Sequence, residues 1–166
     1  KTNTIIVNGF SKAYAMTGWR LGVLTAPIHV AERVALLQET QLSCVPGFIQ
    51  KAGIEALSDR STPYVKNMLE EYRKRRDIMV DGLNGITGIN CYKPRGAFYV
   101  FPNIVETGYK SRDLANDLLM NAGIACAPGP VFGPQGEGYL RFCYVNSIEN
   151  IEKMLERLNK FLSAGK

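Results

Sequence analysis

Lys12 and Arg20 stand eight positions apart in the segment Gly9-Phe10-Ser11-Lys12-Ala13-Tyr14-Ala15-Met16-Thr17-Gly18-Trp19-Arg20-Leu21-Gly22. A lysine amine attacks an aldehyde to form an imine only when it is neutral, so that chemistry requires a desolvated or cation-rich pocket that lowers its pKa. Arg20 supplies such a cation. Its planar guanidinium also matches a phosphate with two parallel N–H donors, which an ammonium cannot do. Taken alone, Lys12 reads equally as a loop lysine and Arg20 as a strand-edge charge. A third candidate, Arg141, lies between Leu140 and Phe142, and strand alternation by itself turns it to the polar face.

Other chemistries lack their residues. His29 is the single histidine and follows Pro27 near an expected helix start, so it reads as a surface or capping residue. No histidine metal site, Ser-His triad or Cys-His couple is expected unless another chain supplies the base. Cys44, Cys91, Cys126 and Cys143 are scattered, with no C-x-x-C pair; they read as small core residues of a reducing compartment, and no metal is expected. The net charge of +5 and the run Arg73-Lys74-Arg75-Arg76 raise nucleic acid as a partner. Glu70 and Glu71 stand four positions before Lys74 and Arg75, the order that favours ion pairs along a helix, and no aromatic residues are interleaved. A solvated helix face is expected, with no nucleic-acid partner. No apolar run reaches the roughly 18 residues of a membrane span, and Lys1 opens no signal peptide. A soluble, cytoplasmic protein with no membrane partner is the expectation.

The elements that would position the candidate residues follow from residue type and period. Thr4 to Gly9 and Leu21 to Thr25 read as two buried strands, joined antiparallel by a tight loop too short for a crossover helix. A helix is expected from Pro27 to the break at Ser43-Cys44-Val45-Pro46-Gly47, a second through Ile49 to Leu57, and a long third one from Thr62 to Asn84, with Pro63 in its first turn. After Gly85 short strands (Asn90 to Lys93, Ala97 to Phe101, Ile124 to Ala127, Leu140 to Val145) alternate with helices near Ser111 to Asn121 and from Ser147, each serine being a good N-cap. The Pro/Gly-rich 127–138 reads as a structured loop. The fold class is α/β: two strands and helices in 1–61, a linking helix in 62–84, and an α+β domain in 85–166.

The segment from Gly9 to Gly22 resembles, position by position, the signature around the cofactor lysine of class I and II aminotransferases, fold-type-I enzymes that use pyridoxal 5′-phosphate. The resemblance implies that Lys12 carries the cofactor as a Schiff base, that Arg20 holds its phosphate, and that Ser11 is a candidate hydroxyl donor. Some relatives carry serine where this sequence has Gly9. Pro94 to Pro102 is similar to the small-domain strand brought against the substrate, where Phe98 either walls the pocket or packs in the core. Ala127 to Gly133 with Gly138 to Phe142 is similar to the family's closing segment, so Arg141 is implied to bind the substrate α-carboxylate.

The resemblance covers nearly all of this chain and only the latter part of a family enzyme. In the family the phosphate-cup loop, the aspartate at the pyridine nitrogen, the asparagine and tyrosine at the ring oxygen and the stacking aromatic all precede the cofactor lysine, so none is expected here. The implied reaction moves an amino group between an amino acid and a 2-oxo acid, in a homodimeric enzyme. A lyase or synthase on the same scaffold is the nearest alternative, since Lys12, Arg20 and Arg141 serve those as well. A domain fragment without catalysis is the alternative from another class.

Overall fold

The computed structural model of the chain describes residues 3–164. Its first strand, β1 (Ile6–Gly9), lies antiparallel to β2 (Gly22–Thr25), with Ile6 opposite Thr25 and Gly9 opposite Gly22. Between them, where a loop was expected, the chain forms a short helix, α1 (Phe10–Ala13), and a 3-10 turn at Thr17–Trp19. Phe10 anchors this connection. Its side chain is buried, its N–H donates to the Leu21 carbonyl (3.1 Å), and its own carbonyl accepts the N–H groups of Tyr14 (3.3 Å) and Met16 (3.4 Å). Lys12 therefore sits on a helical turn clamped at its base.

Two longer helices follow, α2 (Ile28–Leu42) and α3 (Gly47–Ala56), each with a proline, Pro27 or Pro46, at its N-cap. Gly53 is buried and brings α3 against Leu21 and the Phe10 ring, so closely that a Cβ there would collide with the Leu21 side chain. The strands themselves are exposed, which corrects the expectation that they are buried; Val7 is 74% exposed. Their β-branched composition is that of buried strands, yet a two-stranded sheet offers too little partner surface to cover either face.

The chain divides between Met68 and Leu69 into two compact units, and the division falls within α4 (Thr62–Asn84). The second unit holds a three-stranded antiparallel sheet of β3 (Tyr99–Val100), β4 (Ala127–Pro128) and β5 (Leu140–Cys143), with β5 in the middle. Tyr99 lies opposite Cys143, and Ala127 opposite Arg141. Helix α5 (Ser111–Asp117) runs on into a π turn over Leu118–Ala122, and α6 (Ile148–Ala164) closes the described chain. Leu83, Ile104, Leu114, Leu140 and Leu158 are fully buried at the centre of one hydrophobic core.

Several expectations are corrected here. Ser111 is the first residue of α5, after Lys110 at the N-cap, and does not cap it; its hydroxyl is engaged elsewhere. Ser147 does cap α6, accepting the Asn150 N–H (3.2 Å). The stretch 90–93 contributes only a bridge between Asn90 and Asn103. Cys91 is buried and Cys126 half-buried, but Cys44 and Cys143 are exposed, the latter because alternation in β5 turns it away from Leu140 and Phe142. In the basic run, Lys74 pairs with Glu71 three positions before it (2.8 Å), Arg76 with Asp77 (2.8 Å), and Arg75 lies over the Tyr72 ring. These charges are spent along the helix. Among the described residues no helix is long and apolar enough to cross a membrane.

Candidate active site

Ser11, Lys12 and Arg20 lie on the single connection between β1 and β2. Ser11 is half-buried, and Lys12 is exposed, which differs from the desolvated pocket expected for it. Residues two apart on a helix point to nearly opposite sides, so burying Phe10 turns Lys12 outward. Arg20 leaves the 3-10 turn in the left-handed region (φ 52°, ψ 44°), and its Nη1 donates to the Thr17 carbonyl (3.1 Å). A left-handed residue other than glycine costs roughly 1 kcal/mol. Such outliers collect at functional positions, where the side chain matters more than the strain.

In the second unit Arg141 projects from the outer face of β5, as alternation requires, while Leu140 and Phe142 enter the core. It is half-buried between two rings. Its Cζ stands 4.3 Å from the centre of Tyr99 and 4.5 Å from that of Phe132. Tyr99 reaches it diagonally across the β3–β5 pairing, from the position opposite Cys143. Among the described residues the guanidinium has no hydrogen bond or salt bridge, so its donors face outward from a fixed plane. Phe98, by contrast, packs on the flank of the core against Tyr72 (6.4 Å between ring centres) and Tyr99 (4.7 Å). No group of three or more His, Cys, Asp or Glu side chains among the described residues could hold a metal ion.

The rings that clamp Arg141 were not singled out from the sequence. Alternation puts Tyr99 and Arg141 on one face only once the register is known, and Phe132 approaches from the 3-10 turn Gly129–Phe132, a contact with no local periodicity to announce it.

The family model for aminotransferase class I and II matches residues 1–158. The chain belongs to this family. Among the aminotransferases most similar to it are the aspartate aminotransferase of Pyrococcus abyssi, 43% identical over 98% of this chain and 42% of that protein, and aromatic-amino-acid aminotransferase 2 of Thermococcus litoralis, 42% identical over 98% and 42%. The crystal structure of the aromatic aminotransferase from Pyrococcus horikoshii superposes with a TM-score of 0.91 at 42% identity, over 97% of this chain and 43% of that one. The mixed α/β fold is thus that of a fold-type-I aminotransferase. The chain spans about two fifths of the length of these relatives.

Proposed function

We propose that this chain is the part of a pyridoxal 5′-phosphate-dependent aminotransferase that carries the cofactor lysine and the carboxylate-binding arginine. The observation that carries the reading is Arg20, an arginine kept in a left-handed conformation directly after the turn that follows Lys12, whose donors make a single hydrogen bond among the described residues, to Thr17. A glycine would sit there without strain, so the guanidinium itself is the reason for the residue. Its remaining N–H groups suit the cofactor phosphate in two-point fashion. Ser11 adds a hydroxyl donor. When bound, pyridoxal phosphate supplies an aldehyde for amine exchange and an electron sink for the substrate's α-carbon.

The chain's own residues then divide the work. Lys12 would hold the cofactor through its amine and, once released, would carry the proton between the substrate α-carbon and the cofactor, a role that requires the neutral amine. Arg141 receives the α-carboxylate on its outward fork, and Phe98 walls the substrate. The amino group passes from an amino acid to a 2-oxo acid in two half-reactions. The enzyme is a cytoplasmic homodimer, with residues 1–61 in its cofactor domain, 62–84 as the linking helix and 85–166 as the small domain.

Lys12 is exposed in the 166-residue chain, so this chain by itself binds pyridoxal phosphate weakly and is catalytically silent. The test is borohydride reduction of the full-length enzyme with pyridoxal phosphate, followed by peptide mapping. The cofactor should be fixed on Lys12, and Lys12→Ala should abolish turnover; label on another lysine would overturn the assignment.

A further inference from the structure

Ser111 is the one polar side chain that is fully buried among the described residues. At the start of a helix a serine ordinarily caps its own turn. Here its Oγ instead accepts the N–H groups of Gly138 (2.8 Å) and Tyr139 (3.1 Å), while the Ser111 N–H donates to Glu137 Oε1 (3.0 Å). Three consecutive residues are thereby tied to one serine. The Ser111 N–H also holds the Glu137 carboxyl below the ordinary carboxylate range, which keeps that acceptor charged.

Arg141 follows two residues after Tyr139, and the aromatic chain around it returns to the same anchor. Phe132 lies 4.5 Å from the Arg141 Cζ and packs edge-on against Phe101 (6.0 Å, 77°), which stacks flat on Tyr139 (5.1 Å, 5°). The loop that bears Phe132 is closed by a contact between Gly129 and Gly136 so tight that a Cβ on either would overlap the other's backbone, and by the bond from the Gly129 N–H to the Tyr139 carbonyl (2.8 Å).

We infer that Ser111 is a positioning residue for Arg141: by fixing the backbone of Gly138 and Tyr139 it holds the Phe132 ring against the guanidinium and aims the N–H fork outward. The consequence for carboxylate affinity rests on the function proposed above for Arg141; the positioning itself does not. Loss of the hydroxyl strands the buried Gly138 N–H, leaves the Tyr139 N–H only its longer bond to the Gly136 carbonyl (3.2 Å), and frees the loop. An arginine that must then be ordered on binding holds its ligand less tightly.

The test uses the whole chain labelled with ¹⁵N at arginine. The Arg141 Nε–Hε signal, identified by its disappearance in Arg141→Lys, should lie upfield of the other arginines because it sits over two rings, and pyruvate, as a simple 2-oxo acid, should shift it. In Ser111→Ala the upfield displacement should shrink by half or more, and the pyruvate concentration for half-maximal shift should rise about tenfold, with the far-ultraviolet circular dichroism unchanged. Ser111→Thr, which keeps the hydroxyl, should restore both. Glu137→Ala alters an exposed side chain and should produce a smaller change in the same direction; it decides the matter if Ser111→Ala does not fold. An Arg141 signal that ignores both alanine variants overturns the positioning role. A signal that moves in Ser111→Ala yet never responds to pyruvate in the unaltered chain upholds the positioning role and overturns the carboxylate reading instead.

Discussion

Asn84 and Cys91 hold each other through two hydrogen bonds: the Asn84 Nδ2 donates to the Cys91 carbonyl (3.0 Å), and the Cys91 N–H donates to the Asn84 Oδ1 (2.7 Å). The amide at the end of α4 thus stands in for a strand partner. This is why 90–93 builds no ladder, since Cys91 is paired to a side chain and its neighbour Asn90 to Asn103. Cys91 is buried, so Asn84→Ala leaves an N–H and a carbonyl unpaired away from water, at a cost of about 1–3 kcal/mol. Urea unfolding should show a lower midpoint with an unchanged slope. A midpoint equal to that of the unaltered chain would mean that water replaces the amide at no cost.

Arg20→Gly separates stability from ligand retention. Removing the Cβ from a residue at φ 52° relieves roughly 1 kcal/mol of strain, less the extra freedom glycine gains in the unfolded chain. Thermal stability should stay level or rise slightly, whereas retention of pyridoxal phosphate by the full-length enzyme should fall at least tenfold, as expected for loss of a charge-assisted two-point contact. Equal retention on dialysis would remove Arg20 from the phosphate site.

The cysteines divide by environment. Burial pushes the Cys91 and Cys126 thiols up to about 11, so at pH 8 only on the order of a thousandth of each is the reactive thiolate. Cys44 and Cys143 are exposed. A colorimetric disulfide reagent at pH 8 should therefore titrate two thiols quickly and the other two only in denaturant. Four fast thiols would show that the cores around Cys91 and Cys126 open readily.

These tests also mark where local sequence signals end. The β1–β2 pairing, the helix from Thr62 to Asn84 and the outward face of Arg141 were legible, because each depends on residues within one element or on a short connection. The Ser111 clamp was not. Its partners lie 26 to 28 residues away, and a serine before a helical pattern reads as a cap whatever its hydroxyl touches. The place of Lys12 on the connection between β1 and β2 was legible, but its exposure was not: that follows from Phe10 taking the inner side of a one-turn helix, in a stretch whose residue types suggested a loop. In β1 the residue types announce burial and the structure exposes them, because composition reports the environment a strand suits and not whether the neighbours present supply it.

That last mismatch leads to self-association of the chain. Val7 (74% exposed), Ile28 (77%), Phe48 (69%) and Ile54 (71%) all lie in the first unit, and among the described residues β1 and β2 pair only with each other, which leaves one edge of each strand open. Open edges and exposed apolar side chains recruit another chain, and a second copy is the one always present. Each large side chain fully buried contributes about 1.5–3 kcal/mol, so four or more in a symmetric contact exceed the lower estimates of about 4 kcal/mol for lost rigid-body freedom. Sedimentation velocity from about 1 to 100 μM, a range that brackets micromolar affinity, should show a shift to dimers or larger species. Val7→Lys with Phe48→Lys should move the chain back towards monomer without lowering its helix content, because both side chains are already in water. A single monomer across the whole range would show that the exposed faces of the first unit do not pair.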